Sequence, residues 1–212
     1  LLIPRGVFLN VEPGVVIQVA ATAACSASAS FHPDPEHRVL IPICVRGAFQ
    51  CVGSSKARIS IGLAPGAQGK VGWYGIVIDG VKSEFTRISY TDLSGALYAV
   101  RIQACEPVIR HCILTENQTA IYCEMGAKPS IFNNNVMNNF GTGFLVRGAV
   151  PLIVGNIFTV NLIGLWSDKR SKIRVEYNNF WANADGNFLD ATPELGIIKK
   201  KIPAVTDDKK KK

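Results

Sequence analysis

Residues 129–139, PSIFNNNVMNN, align position by position with residues 151–161, PLIVGNIFTVN, 22 residues further along the chain. The same interval continues on both sides of this pair. Four sets of positions share it: Asn117, Asn139, Asn161 and Asn183; Cys112, Asn134, Asn156 and Asn178; Leu114, Val136, Phe158 and Phe180; and Pro107, Pro129 and Pro151. A period of about 20 to 50 residues indicates stacked supersecondary units, so this chain is predicted to be a repeat protein.

A column of asparagines has a physical purpose in such a stack. A side-chain amide carries both a hydrogen-bond donor and an acceptor, so each asparagine can bind the amide of the next unit. We therefore predict structural ladders formed by the seven repeated asparagines, which hold tight turns in register. Cys112 replaces the first member of one column and is expected to be a small buried side chain.

Three short apolar segments recur in each repeat. The first is a short apolar strand, as in Gly75–Asp79 and Ala99–Gln103. The second contains Ile88, Ile109, Ile131, Ile153 and Ile173, and the third contains Leu93, Leu114, Val136, Phe158 and Phe180. The pattern predicts an all-β fold, a right-handed parallel β-helix that forms a three-sheet solenoid with about 22 residues per coil.

The regularity of the repeat changes along the chain. Residues 1–72 contain strand-like segments interrupted by a small, polar, Pro-containing insertion at 20–38, so we predict an N-terminal cap and first coils there. Residues 73–190 are predicted to form five to six regular coils. Residues 191–212 are predicted to be a Lys-rich C-terminal tail.

Three elements of the chain carry a resemblance to a known group of proteins. They are the opening segment GVFLNVEPGVVI at 6–17, the segment GWYGI at 72–76, and the asparagine ladder with Pro-x-Ile in the coils. The chain resembles the pectate-lyase-like superfamily, and more narrowly the bacterial right-handed β-helix repeat proteins of uncharacterised function. The resemblance implies the fold over about residues 6–189. It does not imply one chemistry, because the superfamily includes lyases, hydrolases, epimerases, adhesins and structural proteins.

The charge distribution argues against a nucleic-acid partner, and the hydropathy pattern argues against a transmembrane segment. The net charge is +7, but residues 197–212 hold seven Lys against two Asp, so the rest of the chain is nearly neutral. We therefore predict no nucleic-acid partner. Residues 148–166 lack charges, yet they contain Pro151, Asn156 and Asn161 at the repeat positions, so we predict a coil and no transmembrane segment.

The six cysteines suggest a compartment. An even number in a small chain is compatible with disulfides and with an exported protein in the periplasm, at the cell surface or secreted. Cys44 and Cys51 flank a turn-like stretch and are a candidate pair, with Cys25 as a competing partner. The remaining cysteines are Cys105, Cys112 and Cys123, and the full pairing stays open.

The first strand of each coil carries the candidate binding residues. Because side chains alternate along a strand, one set faces the core and the next faces outward. The core set is Ile76/Ile78, Val100/Ile102, Ile121/Cys123, Phe144/Val146 and Leu165/Ser167. The outward set forms two predicted columns: Val77, Arg101, Tyr122, Leu145 and Trp166; and Asp79, Gln103, Glu124, Arg147 and Asp168. In the resembled enzymes this face commonly binds long polysaccharides, so Arg101, Gln103, Tyr122 and Trp166 are predicted ligand-binding residues.

The charged residues of this face have two interpretations. Glu124, Arg147 and Asp168 can form a surface ion-pair ladder along three coils. Alternatively, Glu124 and Asp168 act as general acid and base of an inverting glycosidase, with Arg147 positioning an anionic sugar. Asp79 is a further candidate catalytic carboxylate.

Metal and cofactor sites are less well supported. His32, Asp34, Glu36 and His37 gather four potential ligands within six positions, a weak candidate metal site whose simpler interpretation is an exposed Pro-containing loop. His111 is expected to be a structural histidine. The chain shows no phosphate-binding glycine loop in a strand-to-helix context, and we expect no cofactor.

The length of the coils favours a structural or binding role over catalysis. An enzyme needs long loops that wall the binding face into a cleft, but coils of 21 to 23 residues leave almost no room for loops after Trp73. We therefore predict a non-catalytic, exported structural or binding platform for a polysaccharide or a protein partner. The alternative is a polysaccharide-active hydrolase or lyase that uses the same face.

Overall fold

The repeated apolar segments form strands that stack into three parallel sheets. The computed structural model describes residues 1–20, 40–65, 71–80 and 85–190. Strands are numbered in chain order. Sheet A contains β1 (Leu2–Ile3), β4 (Pro42–Val45), β7 (Gly75–Asp79), β10 (Tyr98–Gln103), β13 (Thr119–Glu124), β16 (Thr142–Arg147), β19 (Ile163–Ser167) and β22 (Gly186–Asp190).

The other two sheets use the second and third segments of each repeat. Sheet B contains β2 (Phe8–Val11), β5 (Ala48–Val52), β8 (Thr86–Ser89), β11 (Val108–Arg110), β14 (Ser130–Phe132), β17 (Leu152–Val154) and β20 (Arg174–Glu176). Sheet C contains β3 (Val16–Val19), β6 (Ile59–Leu63), β9 (Thr91–Ser94), β12 (Ile113–Thr115), β15 (Asn135–Met137), β18 (Ile157–Thr159) and β21 (Asn179–Trp181).

The chain visits sheets A, B and C in turn and then returns to A one level higher. Each strand pairs in parallel with the equivalent strand of the next coil, so Leu114 lies beside Val136 and Val136 beside Phe158. This topology confirms the predicted three-sheet β-solenoid. Within the described ranges it comprises seven coils and a final strand in sheet A; five of these coils and the final strand lie in residues 73–190, where five to six coils were predicted.

The asparagines bond along the solenoid axis at two corners. Asn139 Oδ1 accepts from the backbone N and the Nδ2 of Asn117, both at 3.1 Å. In turn, Asn139 Nδ2 donates to Asn161 Oδ1 at 2.8 Å. The second column repeats this pattern, beginning at the backbone N of Cys112, which donates to Asn134 Oδ1 at 2.9 Å. Each amide therefore links its own coil to both neighbours.

One continuous apolar core fills the space between the sheets. Aliphatic side chains line most of it, and Phe49, Phe144 and Phe158 are among the largest that are fully buried. Phe158 stacks on Phe180 with ring centroids 4.7 Å apart, so the third-segment positions form a ladder of their own. The core stabilises every coil through its neighbours, because no single coil can bury its apolar face alone.

The predicted disulfide between Cys44 and Cys51 is wrong. Both residues are buried free thiols, and so are the other three described cysteines, whereas Cys25 lies outside the described residues. Cys44 lies beside Val77 on the outer side of sheet A, whereas Cys51 faces the core from sheet B and contacts Thr91 Oγ1 at 3.4 Å. Burial raises the pKa of Cys51 to about 11, which keeps this thiol protonated and unreactive at neutral pH.

Candidate functional site

Parallel register aligns the two predicted outward columns of sheet A. Val77, Arg101, Tyr122, Leu145 and Trp166 are register neighbours on successive strands. Asp79, Gln103, Glu124 and Arg147 form the second column, and Asp168 follows directly after β19. Since paired strands lie about 4.8 Å apart, residues about 22 positions apart in sequence become direct neighbours in space.

The outward columns differ in exposure along the axis. Val77 is only 2% exposed and Tyr122 only 6% exposed, so the prediction that both face solvent is wrong. Leu145 and Trp166 are partly exposed, and Arg147 is exposed. The face therefore has a buried polar section around Tyr122 and a more open section toward Trp166.

Arg101 is the centre of the buried section. Its guanidinium forms an ion pair with Glu124, with Nη2 2.6 Å from Oε1, and it also donates to the Tyr74 hydroxyl. The guanidinium carbon lies 5.8 Å from the Tyr98 ring centroid and 5.3 Å from the Tyr122 ring centroid. Arginine between two aromatic rings gains cation–π attraction as well as its ion pair, so its position is held from several directions.

Glu124 has both carboxylate oxygens engaged. Oε1 accepts from Arg101 and from Gln103 Nε2, the latter at 2.7 Å, and Oε2 accepts from the Tyr122 hydroxyl at 2.5 Å. Burial opposes ionisation, but hydrogen bonds from Tyr122, Gln103 and Arg101 outweigh it and lower the pKa of Glu124. Burial, and after it the hydrogen bond to Glu124, raises the pKa of Tyr122 to about 12.

Asp168 is also held as a carboxylate, by different partners. Its Oδ1 accepts from Ser171 Oγ at 2.6 Å and from the Gly148 backbone N at 3.0 Å, and Arg170 binds Oδ2 at 3.2 Å. Burial would raise the pKa of Asp168, but these donors lower it. Asp168 therefore caps the corner between sheets A and B, where its contacts are local to the turn that follows β19.

The proposed ion-pair ladder of Glu124, Arg147 and Asp168 is wrong in its pairings. Glu124 pairs with Arg101 of the preceding coil, and Asp168 pairs with Arg170 two residues later. Arg147 instead lies over the Trp166 ring, with its guanidinium carbon 5.5 Å from the ring centroid. The open section of the face consequently presents a cation stacked on an indole ring.

Asp79 lies apart from the Glu124 network. It pairs with Arg46 of the preceding coil, with Nε 3.2 Å from Oδ2, and both side chains are more than two-fifths exposed. An ion pair of this exposure contributes little free energy. The structure thus separates the candidate carboxylates into three groups, each with its own cationic partner.

Sequence reasoning missed two members of the buried section, Tyr74 and Tyr98. Their rings pack edge to face with centroids 5.5 Å apart, and Tyr98 also packs on Tyr122 at 5.4 Å. A signal was present, because Tyr immediately precedes the small residue that opens the strand alternation in two successive coils, at Tyr74-Gly75 and Tyr98-Ala99. A position shared by consecutive repeats places its side chains in contact.

The candidate metal ligands lie outside the described residues, whereas His111 is described and packs at a turn. His32, Asp34, Glu36 and His37 lie outside the described residues. Within the described ranges no group of three or more His, Cys, Asp or Glu side chains could hold a metal ion. His111 stacks on Tyr90 with ring centroids 4.7 Å apart, a packing role at a turn.

Comparison with known proteins identifies the family. A family model described as a right handed beta helix region matches residues 69–194, more than half of the chain. The chain belongs to this family, and its three parallel sheets form a right-handed β-helix. No curated protein and no solved structure matches the chain. Of the described residues, none lies in a helix long and apolar enough to cross a membrane.

Proposed function

We propose that this chain is a non-catalytic platform whose outer sheet A face binds a polysaccharide, with a protein partner as the second possibility. Tyr98 and Trp166, both partly exposed, supply aromatic surface along the solenoid axis, and the exposed Arg147 supplies a cation. Arg101 and Tyr122 are largely buried and pack against Tyr98. A chain-like ligand suits a face whose groups recur at the spacing of about 4.8 Å between coils. Aromatic planes bind apolar sugar faces, while the charged groups orient hydroxyls or carboxylates.

The observation that supports a non-catalytic role is the state of Glu124 and Asp168. A glycosidase needs one carboxyl group that is protonated and able to donate to the leaving oxygen. Both carboxylates here accept several hydrogen bonds, and the pKa of each is lowered. Neither is therefore suited to be a general acid near neutral pH.

One feature of the face is compatible with the enzyme alternative. The Arg101–Glu124–Tyr122 cluster is largely buried and its ionisation is perturbed, and such clusters concentrate at functional sites. A hydrolase or lyase that used Arg101 would need it to leave Glu124 when the substrate arrives. Structural ion-pair networks perturb pKa values in the same way, so this feature alone does not favour catalysis over binding.

Export is a further part of the proposal. A platform for polysaccharides would meet its ligand in the periplasm, at the cell surface or outside the cell. The five described cysteines give export no support, because all are free thiols. Fractionation of cells that express the tagged protein tests this part, and recovery in the cytosol would contradict it.

A glycan-array screen with purified protein tests the binding face. For any glycan that binds, we expect Trp166→Ala to weaken binding about tenfold, because one aromatic stacking contact contributes about 1 kcal/mol or slightly more. Arg147→Gln should weaken it similarly, since Arg147 lies on the same ring. The matched control is Trp181→Ala, which removes a 68% exposed tryptophan from sheet C.

The screen has three informative outcomes. Loss of binding in Trp166→Ala with retention in Trp181→Ala supports the sheet A face. Equal loss in both variants, or none in either, places the glycan elsewhere and contradicts the proposed site. If no glycan binds, the polysaccharide part is overturned and a protein partner replaces it.

A further inference from the structure

A second feature lies at the corner between sheets A and B in the first coils, away from Trp166. It is a surface depression of about 460 Å³ whose lining includes Arg5, Phe8, Arg46, Ala48, Gly80 and Phe85. Phe8 is 58% exposed and Phe85 is 52% exposed, so both rings present apolar surface to solvent. The proposed function of the sheet A face does not involve any of these residues.

Strand register makes this depression a slot. Phe8 pairs with Ala48 on the next strand of sheet B. Phe49 pairs with Thr86 at the start of β8, so Phe85, which immediately precedes β8, lies next to Ala48 in the following coil. Two aromatic residues thus flank an alanine, with their backbones about 9 to 10 Å apart. A planar ring between two others needs about 7 to 8 Å between them, so a separation of about 9 to 10 Å is wide enough for one ring.

Two arginines provide the charge at this slot. Arg5 is exposed and forms no ion pair with any residue in the described ranges. Arg46 contacts Asp79 through Nε at 3.2 Å, and its terminal nitrogens have no acceptor among the described side chains. A guanidinium with free terminal nitrogens favours a carboxylate or another planar anion.

Two glycines keep the space beside the slot open. Gly6 and Gly80 adopt φ angles of 81° and 62°, in the left-handed region that favours glycine. A Cβ atom at either position would meet no heavy atom of the described residues within 4 Å. Among the described residues, these turns place no side chain next to the arginines.

We propose that this slot binds a small planar aromatic anion. The ring lies over Ala48 between Phe8 and Phe85, and the anionic group pairs with Arg5 and Arg46. Apolar walls supply stacking, and the two arginines select an anionic ligand over a neutral one of the same shape.

Titration of ¹⁵N-labelled full-length protein with 1-naphthoate tests the proposal. We expect a Kd on the order of 1 mM, as suits a ligand of this size on an open surface. The largest amide shifts should fall on Gly6, Gly47 and Gly80, which line the depression. Neutral 1-naphthamide should bind about tenfold more weakly, because it lacks the charge-assisted bonds.

Variants separate this slot from other aromatic surfaces. Ala48→Leu fills the space between the two rings and should abolish the shifts, whereas Ala184→Leu, at an exposed position elsewhere, should not. The double variant Arg5→Gln and Arg46→Gln should weaken 1-naphthoate about tenfold and leave 1-naphthamide unchanged. Equal affinity for the two ligands, unchanged binding in Ala48→Leu, or shifts confined to the sheet A face would overturn the proposal.

Discussion

Asn139→Ala is expected to lower the free energy of unfolding by about 3 to 5 kcal/mol, because it leaves several buried groups without partners. The substitution removes the acceptor for the Asn117 backbone N and the donor for the Leu114 and Met137 carbonyls. It also interrupts the column between Asn117 and Asn161. Water cannot replace the lost amide, because Asn139 is only 3% exposed. Urea unfolding followed by circular dichroism measures the change.

The control for this prediction is Asn179→Ala. Asn179 is exposed at the start of β21, and its side chain makes no hydrogen bond within the described part of the chain. Its replacement should change the unfolding free energy by about 0.5 kcal/mol or less. If Asn139→Ala were as mild as this control, the asparagine column would be a consequence of the fold and not one of its main supports.

Glu124→Gln is expected to destabilise the protein by about 2 kcal/mol at pH 7, because it removes a charge from a largely buried pair. The side chains of Arg101 and Glu124 are only 13% and 15% exposed, so solvent screens their attraction weakly. In the glutamine variant an NH₂ donor replaces one carboxylate oxygen, which in the wild type accepts from Tyr122 or from Arg101 and Gln103. The matched control is Glu106→Gln, whose partner Lys128 lies 3.5 Å away at an exposed position.

The pH dependence of this effect has a definite sign. The pKa of Glu124 is lower in the folded protein than its unfolded value of about 4.3, so the folded state binds this proton less readily. The stabilisation is therefore fully present above pH 4.3 or so and is lost as pH falls through the folded pKa. The difference in unfolding free energy between wild type and Glu124→Gln should be constant between about pH 6 and 8 and should shrink in acid. A difference that grew in acid would contradict the assigned ionisation.

The repeat made the fold predictable because the ladder needs one residue type at each of its levels. An amide is the side chain that both donates and accepts in a turn, so the columns of Asn139 and Asn134 are visible in the sequence. The first coils lack these asparagines, and residues 20–41 interrupt the spacing between β3 and β4. The first coils were therefore predictable from their strand-like segments but not from the ladder.

The positions of the candidate site residues were predictable, but their pairings were not. Alternation along a strand determines that Arg101 and Arg147 face outward, and parallel register determines their neighbours. The partner that each guanidinium selects depends on aromatic rings of its own coil or of an adjacent one. Arg101, in the first column, lies near Tyr98 and Tyr122, and Arg147, in the second column, lies over Trp166. The disulfide prediction failed because the turn between Cys44 and Cys51 places them on different sheets, one facing outward and the other facing the core.

Product release from polysaccharides tests most directly whether sheet A carries a binding face or an active site. Purified protein is incubated with a panel of neutral and acidic polysaccharides from pH 4 to 9, and reducing ends and unsaturated products are measured. We predict no turnover above the buffer blank, including with any glycan that binds, because Glu124 and Asp168 are both held ionised. Turnover that disappears in Glu124→Gln or Asp168→Asn, while these variants remain folded, would contradict the platform and establish an enzyme.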